Sequence, residues 1–311
     1  MIDFRYFLVS IVAIFFALAI GIVLGSGPLE GNINQVIKGT NEQLAQEKKD
    51  LQAQVIDLQK TVEASQTYAD TTAPLTLAGQ LTGQSVAVVV LTGASGDQVD
   101  AITAALQQSG ARVGSTVRLT DAWTDPKQQD VLGRVAAGLD HSATDSNASI
   151  AAGETLADAL VASSPTAVAP GEPDKVDPQG IAVVSGLSEA GFLQVSDPTA
   201  VRRGALAVVV SPDDPADPSA TATFLPLIEA LQKDGKGVVV AGGAASTEVG
   251  GTIAEIRGSD LVSTVSTVDD IDLAMGYPTT ALALVEQLRG DVGQYGIHDG
   301  ATAVVPDISK K

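Results

Sequence analysis

The stretch Val86-Ala-Val-Val-Val-Leu91 decides how the larger part of this 311-residue chain folds. Its apolar residues are continuous rather than alternating, the pattern of a strand buried on both faces of a parallel sheet. Similar runs return at Ala205–Val210 (ALAVVV) and Val238–Ala241 (VVVA), with a weaker one at Leu261–Val265. Helical patterns lie between them. Val99, Ile102 and Leu106 mark one over Gln98–Ser109, Leu227, Ile228 and Leu231 another over Ala220–Lys233, and Leu282, Val285 and Leu288 a third over Pro278–Arg289. Gly110, Gly235 and Gly290 stand where helix stops are expected.

An internal echo extends this reading. The run Ala87–Val90, a loop, a helix ending in LQQSG and a further strand resemble Ala207–Val210, a helix ending in LQKDG and Val238–Val240. Two strand-helix-strand units predict an α/β fold: a mostly parallel, open, three-layer α/β sheet with right-handed crossovers, over residues 80–311. Thr120–Gly180 reads as a helical insert followed by a Pro-rich loop, either a cap over the sheet or a spacer.

Upstream, the composition changes. Phe7–Gly25 (FLVSIVAIFFALAIGIVLG) carries no charge, and its 19 residues make a helix of roughly 28 Å, close to the hydrocarbon thickness of a bilayer. Residues 1–28 are therefore read as a transmembrane anchor. A cleaved signal peptide, with Ala17-Leu18-Ala19 as the site, would leave apolar Ile20–Leu24 on the mature end, so the uncleaved anchor is preferred. A core helix would show a polar face, and the segment offers only Ser10. Arg5 precedes the segment and no Lys or Arg follows before Lys38, which puts the N-terminus in the cytoplasm and the rest outside. Ala13, Ala17, Gly21 and Gly25 form a ridge of small residues that suits helix association, although small residues are common in membrane helices.

Residues 29–68 are predicted to form a coiled-coil stalk beyond Gly27-Pro28. Ile37, Leu44, Leu51 and Leu58 fall seven apart, and Val55 and Val62 follow Leu51 and Leu58 by four, giving a d/a seam. Asn34, Asn41 and Lys48 occupy the earlier a positions, which costs stability but favours a defined register. The simplest assembly is a parallel homodimer through anchor and coil. A partner's helix, or the chain's own globular domain, would satisfy the same seam.

Residues 61–311 hold 13 Lys and Arg against 31 Asp and Glu, nearly all of the net −19. That surface repels nucleic acid and anionic lipid. Cysteine is absent, and a domain of this length builds a core without disulfides. At the carboxyl ends of the strands, Thr92-Gly-Ala-Ser-Gly-Asp97 lacks the Lys-Ser/Thr of a phosphate loop and reads as a turn with Asp97 as a helix cap. Asp213, Asp214 and Asp217, and then Asp269, Asp270 and Asp272, are candidate partner or cation loops, with Pro-Asp turns and helix capping as the plainer explanations. Gly242-Gly243 suggests a turn or a close backbone approach. His141 and His298 lie far apart in sequence, and no G-x-S-x-G elbow is present. No catalytic set, cofactor site or metal site is predicted, and the chain is expected not to be an enzyme.

The opening MIDFRYFLVSIVAIFFALAIGIVLGSGPL, the stretch LQAQVIDLQ at 51–59, STVDDID at Ser266–Asp272 and Gln294-Tyr-Gly-Ile297 closely resemble the actinobacterial family named for the mycobacterial copper transport protein MctB, which includes corynebacterial SteB. The resemblance runs over the whole chain. It implies an envelope protein with one N-terminal hydrophobic helix, linked in one branch to copper removal and outer-membrane pores. In the other branch it implies cell separation, with a membrane partner of the SteA type and control of a peptidoglycan hydrolase. Copper(I) prefers thiolate and thioether ligands, yet the chain has no cysteine and only Met1 and Met275. A barrel needs strands of about ten alternating residues with aromatic girdles, and aromatic residues are 4%. The expectation is a non-enzymatic, single-pass scaffold or regulator of wall remodelling. A copper efflux or channel component, in the outer membrane, and a module binding a small ligand or wall fragment are the alternatives.

Overall fold

The computed structural model describes residues 4–25, 29–140, 147–162, 177–212 and 218–309. The chain divides into two units, Met1–Ala64 and Ser65–Lys311.

The first unit is helical. Helix α1 spans Phe4–Gly25, and its window Tyr6–Val23 is long and apolar enough to cross a membrane. Its described side chains are all exposed. Helix α2 spans Leu29–Leu77, 49 residues, and its last part belongs to the second unit. Gly27-Pro28 lies outside the described residues.

In the second unit, strand β1 (Ser85–Val90) leads through α3 (Gly96–Gln108) to β2 (Arg112–Leu119). Helices α4 (Gln129–Leu139), α5 (Ala148–Leu160) and α6 (Pro178–Glu189) follow, then β3 (Leu193–Val195) and β4 (Leu206–Val210). Next come α7 (Pro218–Asp234), β5 (Val238–Ala241), α8 (Thr252–Arg257), β6 (Ser266–Val268), α9 (Gly276–Arg289) and β7 (Gln294–Tyr295). The sheet order is β3-β2-β1-β4-β5-β6-β7, with β3 antiparallel to β2 and every other pairing parallel. The order reverses between β1 and β4, where Val90 pairs with Val210, as in doubly wound α/β proteins.

Strand alternation builds two cores. Ala87, Val89 and Leu91 face one helical layer with Val209, Val240, Trp123, Leu156 and Leu227, while Val86, Val88 and Val90 face the other with Ile102, Leu106, Leu284 and the end of α2 at Leu77. The predicted three-layer α/β architecture is therefore present. The insert is neither cap nor spacer. Ala151, Ala152, Leu156 and Leu160 of α5 are buried, and α4, α5 and α6 complete one layer of the core. Gly153 permits this: a Cβ there would lie 2.8 Å from the Leu227 nitrogen, so α5 and α7 pack backbone against backbone. The 163–176 part of the Pro-rich loop lies outside the described residues.

Helix ends follow the expected chemistry at Gly110 and Gly290. Both have positive φ (+82° and +86°), and Ala111 N–H and Asp291 N–H reach back to the Leu106 and Glu286 carbonyls. Gly235 follows α7 without a positive φ. Two local readings are corrected. Leu261–Val265 is not a strand: Asp260–Ser263 forms a 3-10 turn, and the strand is Ser266–Val268. Its polar residues are tolerated because Thr267 Oγ1 donates to Gln294 Oε1 (2.5 Å) and Ser266 Oγ accepts from Gln287 Nε2 (2.9 Å). Asp97 is not the cap of α3. Ser95 holds that position without a side-chain bond, and Asp97 lies in the first turn, where its charge favours the helix dipole.

The sheet edges are short. β3 has three residues and β7 two, and Tyr295 of β7 makes a further parallel bridge to Ala303.

Candidate functional site

Two regions hold the residues singled out by sequence. In the first unit, Ala13, Ala17, Gly21 and Gly25 lie on α1, and nothing stands within 4 Å of a Cβ built at Gly21 or Gly25. On α2, Leu44, Leu51, Val55, Leu58 and Val62 are between 49% and 64% exposed. Ile37 is helical, but its side chain lies outside what is described. Around them Gln43 bonds Glu47 and Gln46 bonds Asp50 at i,i+4 spacing, which is a solvated helix surface. The seam is thus a row of large apolar side chains left open to solvent in the single chain, and a soluble helix normally buries such a row.

The second region lies at the carboxyl ends of β5 and β6. Asp213, Asp214 and Asp217, after β4, lie outside the described residues, as does His141. Asp269 is fully buried. Its Oδ1 accepts from Ile297 N–H (2.9 Å) and His298 N–H (3.2 Å), and its Oδ2 lies 2.8 Å from Arg257 Nη2. That contact is Coulombic rather than an aligned hydrogen bond, and Nη2 separately donates to the Tyr295 carbonyl (3.2 Å). Arg257 also donates through Nε to Thr267 Oγ1 (3.0 Å) and through Nη1 to the Asp299 carbonyl (2.7 Å). The guanidinium fork of α8 thereby ties β6 to the segment after β7. Gly296, at φ +125°, is required there, since any Cβ would collide with the Asp269 carboxylate.

Asp270 is also fully buried, and neither of its oxygens has a hydrogen-bond partner. Burial, reinforced by Asp269 and Asp272, pushes its carboxyl up to about 6. Asp272 is exposed and faces Gly243, whose virtual Cβ lies 3.5 Å from the Asp272 carboxyl carbon. Gly242 is a close approach: a Cβ there would lie 2.5 Å from Ser246 Oγ. None of the three aspartates caps α9, whose N-cap is Met275 without a side-chain bond. The sequence reading grouped these acids as a possible partner or cation loop but missed Arg257, the cation that holds one of them. It also missed the buried Tyr295–Glu286 hydrogen bond beside them, which together with burial raises the phenol.

The Gly-rich loop after β1 is a turn: Ala94 N–H donates to the Leu91 carbonyl, and Arg118 Nη1 donates to the Ala94 carbonyl. Among the described residues, no three His, Asp or Glu side chains converge as a metal-ion ligand set.

A family model described as "Copper transport outer membrane protein, MctB" matches residues 1–306. The chain is 28% identical over 317 residues to "Copper transporter MctB" of Mycobacterium tuberculosis and of Mycobacterium bovis, covering 98% of this chain and 99% of each relative. It is 28% identical over 326 residues to the Mycobacterium leprae protein of that name, with the same coverage. With a matching region that runs from the apolar helix to the segment bonded by Arg257, the chain belongs to the MctB family.

Proposed function

We propose that this protein is a single-pass, membrane-anchored envelope protein that acts without catalysis, as a scaffold or regulator of wall remodelling and cell separation. Its N-terminus is cytoplasmic and its α/β domain extracytoplasmic. The observation that carries this reading is the exposed seam of α2, a row of apolar side chains with no cover in the single chain. The occupant we propose is a second copy in parallel register. In such a pair Lys48, at an a position, lies beside the Glu47 position of the facing helix, which offsets the cost of a cation in the seam. The ridge Ala13, Ala17, Gly21 and Gly25 would continue the same axis. A membrane partner of the SteA type and a peptidoglycan hydrolase are the further partners implied by the resemblance to the corynebacterial branch.

The test is the double variant Leu51→Asp/Leu58→Asp in the full chain. Cross-linking in membranes should lose its dimer band, and affinity capture should lose membrane partners, while unfolding read by the emission of Trp123 stays unchanged. An unchanged dimer band defeats the coiled-coil assignment.

A second reading is copper transport or efflux, favoured by the name shared by the relatives. The donor inventory of this chain argues against direct copper(I) coordination. On this reading the protein affects copper through a partner.

A further inference from the structure

We propose that the turn Asp269–Gly276 is a proton-linked latch, closed while Asp270 is a neutral carboxylic acid and loosened when that group ionises. Three observations carry this. Asp270 is fully buried, with both oxygens lacking a hydrogen-bond partner. The nearby cation, Arg257, is committed to Asp269, Thr267 and two carbonyls. The turn itself has little room: any Cβ at Gly276 would collide with the Asp270 carbonyl, and Leu273 N–H donates to that same carbonyl (2.9 Å).

The charged surroundings are unfavourable to an anion. Asp269 precedes the group, directly after β6, and Asp272 follows it on the turn. Two weaker influences oppose them, the backbone N–H of Asp270 itself and then His298, from the segment after β7. The first turn of α9 brings no acidic residue, and the end of β5 brings only Gly242 and Gly243. A carboxylate held dry between two others either takes up a proton or opens its surroundings to water.

The sign follows from the direction of the shift. The folded state holds the proton more tightly, up to about 6, than the unfolded chain at 3.8. Acidification through that window therefore favours the closed turn, and the benefit is gone above it. Between about pH 7.5 and about pH 5 the contribution of this group to the folding constant rises about tenfold.

The experiment uses the full chain in detergent micelles. Urea unfolding is followed by Trp123 emission, and hydrogen exchange of the 269–276 peptide is measured at both pH values after correction for intrinsic rates. The unaltered protein should show slower exchange of this peptide at the lower pH. Asp270→Asn should hold that protection at the higher pH and remove about tenfold of the pH dependence of folding, whereas Asp272→Asn should keep most of it. Equal protection at both pH values in the unaltered chain overturns the proposal, and that measurement decides the matter even if Asp270→Asn does not fold. An Asp270→Asn protein with the full pH dependence of the original also overturns it. So does recovery of protection at the higher pH on adding Ca²⁺ or Mg²⁺, because a cation rather than a proton would then neutralise the site.

Discussion

Arg257 and Asp269 lie on different elements, yet they are the ion pair around which the end of the domain is organised. The arginine side chain is 8% exposed and the aspartate fully buried. In such a pair the attraction is offset by the desolvation of both ions, so the pair as a whole adds little stability. Removing one partner is different, because the other charge is left buried. Arg257→Ala is expected to cost about 3–5 kcal/mol, read as a lower urea midpoint of Trp123 emission. Arg257→Lys should recover part of the loss, since an ammonium reaches the carboxylate but not all the carbonyls of the fork. A midpoint unchanged by the alanine variant would mean that the Asp269 charge is satisfied by its two backbone donors alone.

At the scale of elements, Gly153 sets two opposing effects against each other. Alanine in a helix interior gains about 1 kcal/mol over glycine. Here the added carbon would press on the Leu227 nitrogen at 2.8 Å, Leu227 Cα at 3.0 Å and the Pro226 carbonyl carbon at 3.1 Å, all backbone atoms of a packed helix. Overpacking of that kind costs typically 1–3 kcal/mol, so Gly153→Ala should lower the melting temperature. Gly138→Ala in α4, where nothing lies within 4 Å, should raise it slightly. Calorimetry on the two variants checks both signs. The legibility of the elements follows the same physics. β1, β4, β5, α3, α7 and α9 were readable because each buries a run or stripe of apolar side chains, which leaves a local signature. β6 and β7 were not, because they are held by side-chain bonds among Ser266, Thr267, Gln287 and Gln294, residues that look like loop until the partners are placed. The acidic cluster was visible in sequence, but the division of labour within it was not. That division depends on Arg257, whose position is fixed only once α8 docks on the sheet.

At the scale of the whole molecule, one α-helix capable of crossing a membrane, a long helix and an open sheet between helical layers make up the described chain. The strands have at most eight residues, short of the roughly 9–11 that a bilayer-spanning strand needs. The family description as an outer-membrane protein is therefore not matched by a barrel in the described part of this chain. The copper reading is tested at the same scale. Dialysis of the full chain against copper, followed by metal analysis, should leave less than one equivalent bound, because the ligand types that hold copper(I) are nearly absent from its composition. Stoichiometric retention would sink the scaffold-only view.

The short sheet edges have a consequence for life on a surface. On the proposed anchored reading, tethering confines many copies to a thin layer at high local concentration, where unpaired strands invite runaway edge-to-edge polymerisation. β3 offers three residues to such growth, and β7 offers two, with its outer side already engaged by Ala303. Crowding on that reading therefore finds little template at the described edges of the sheet.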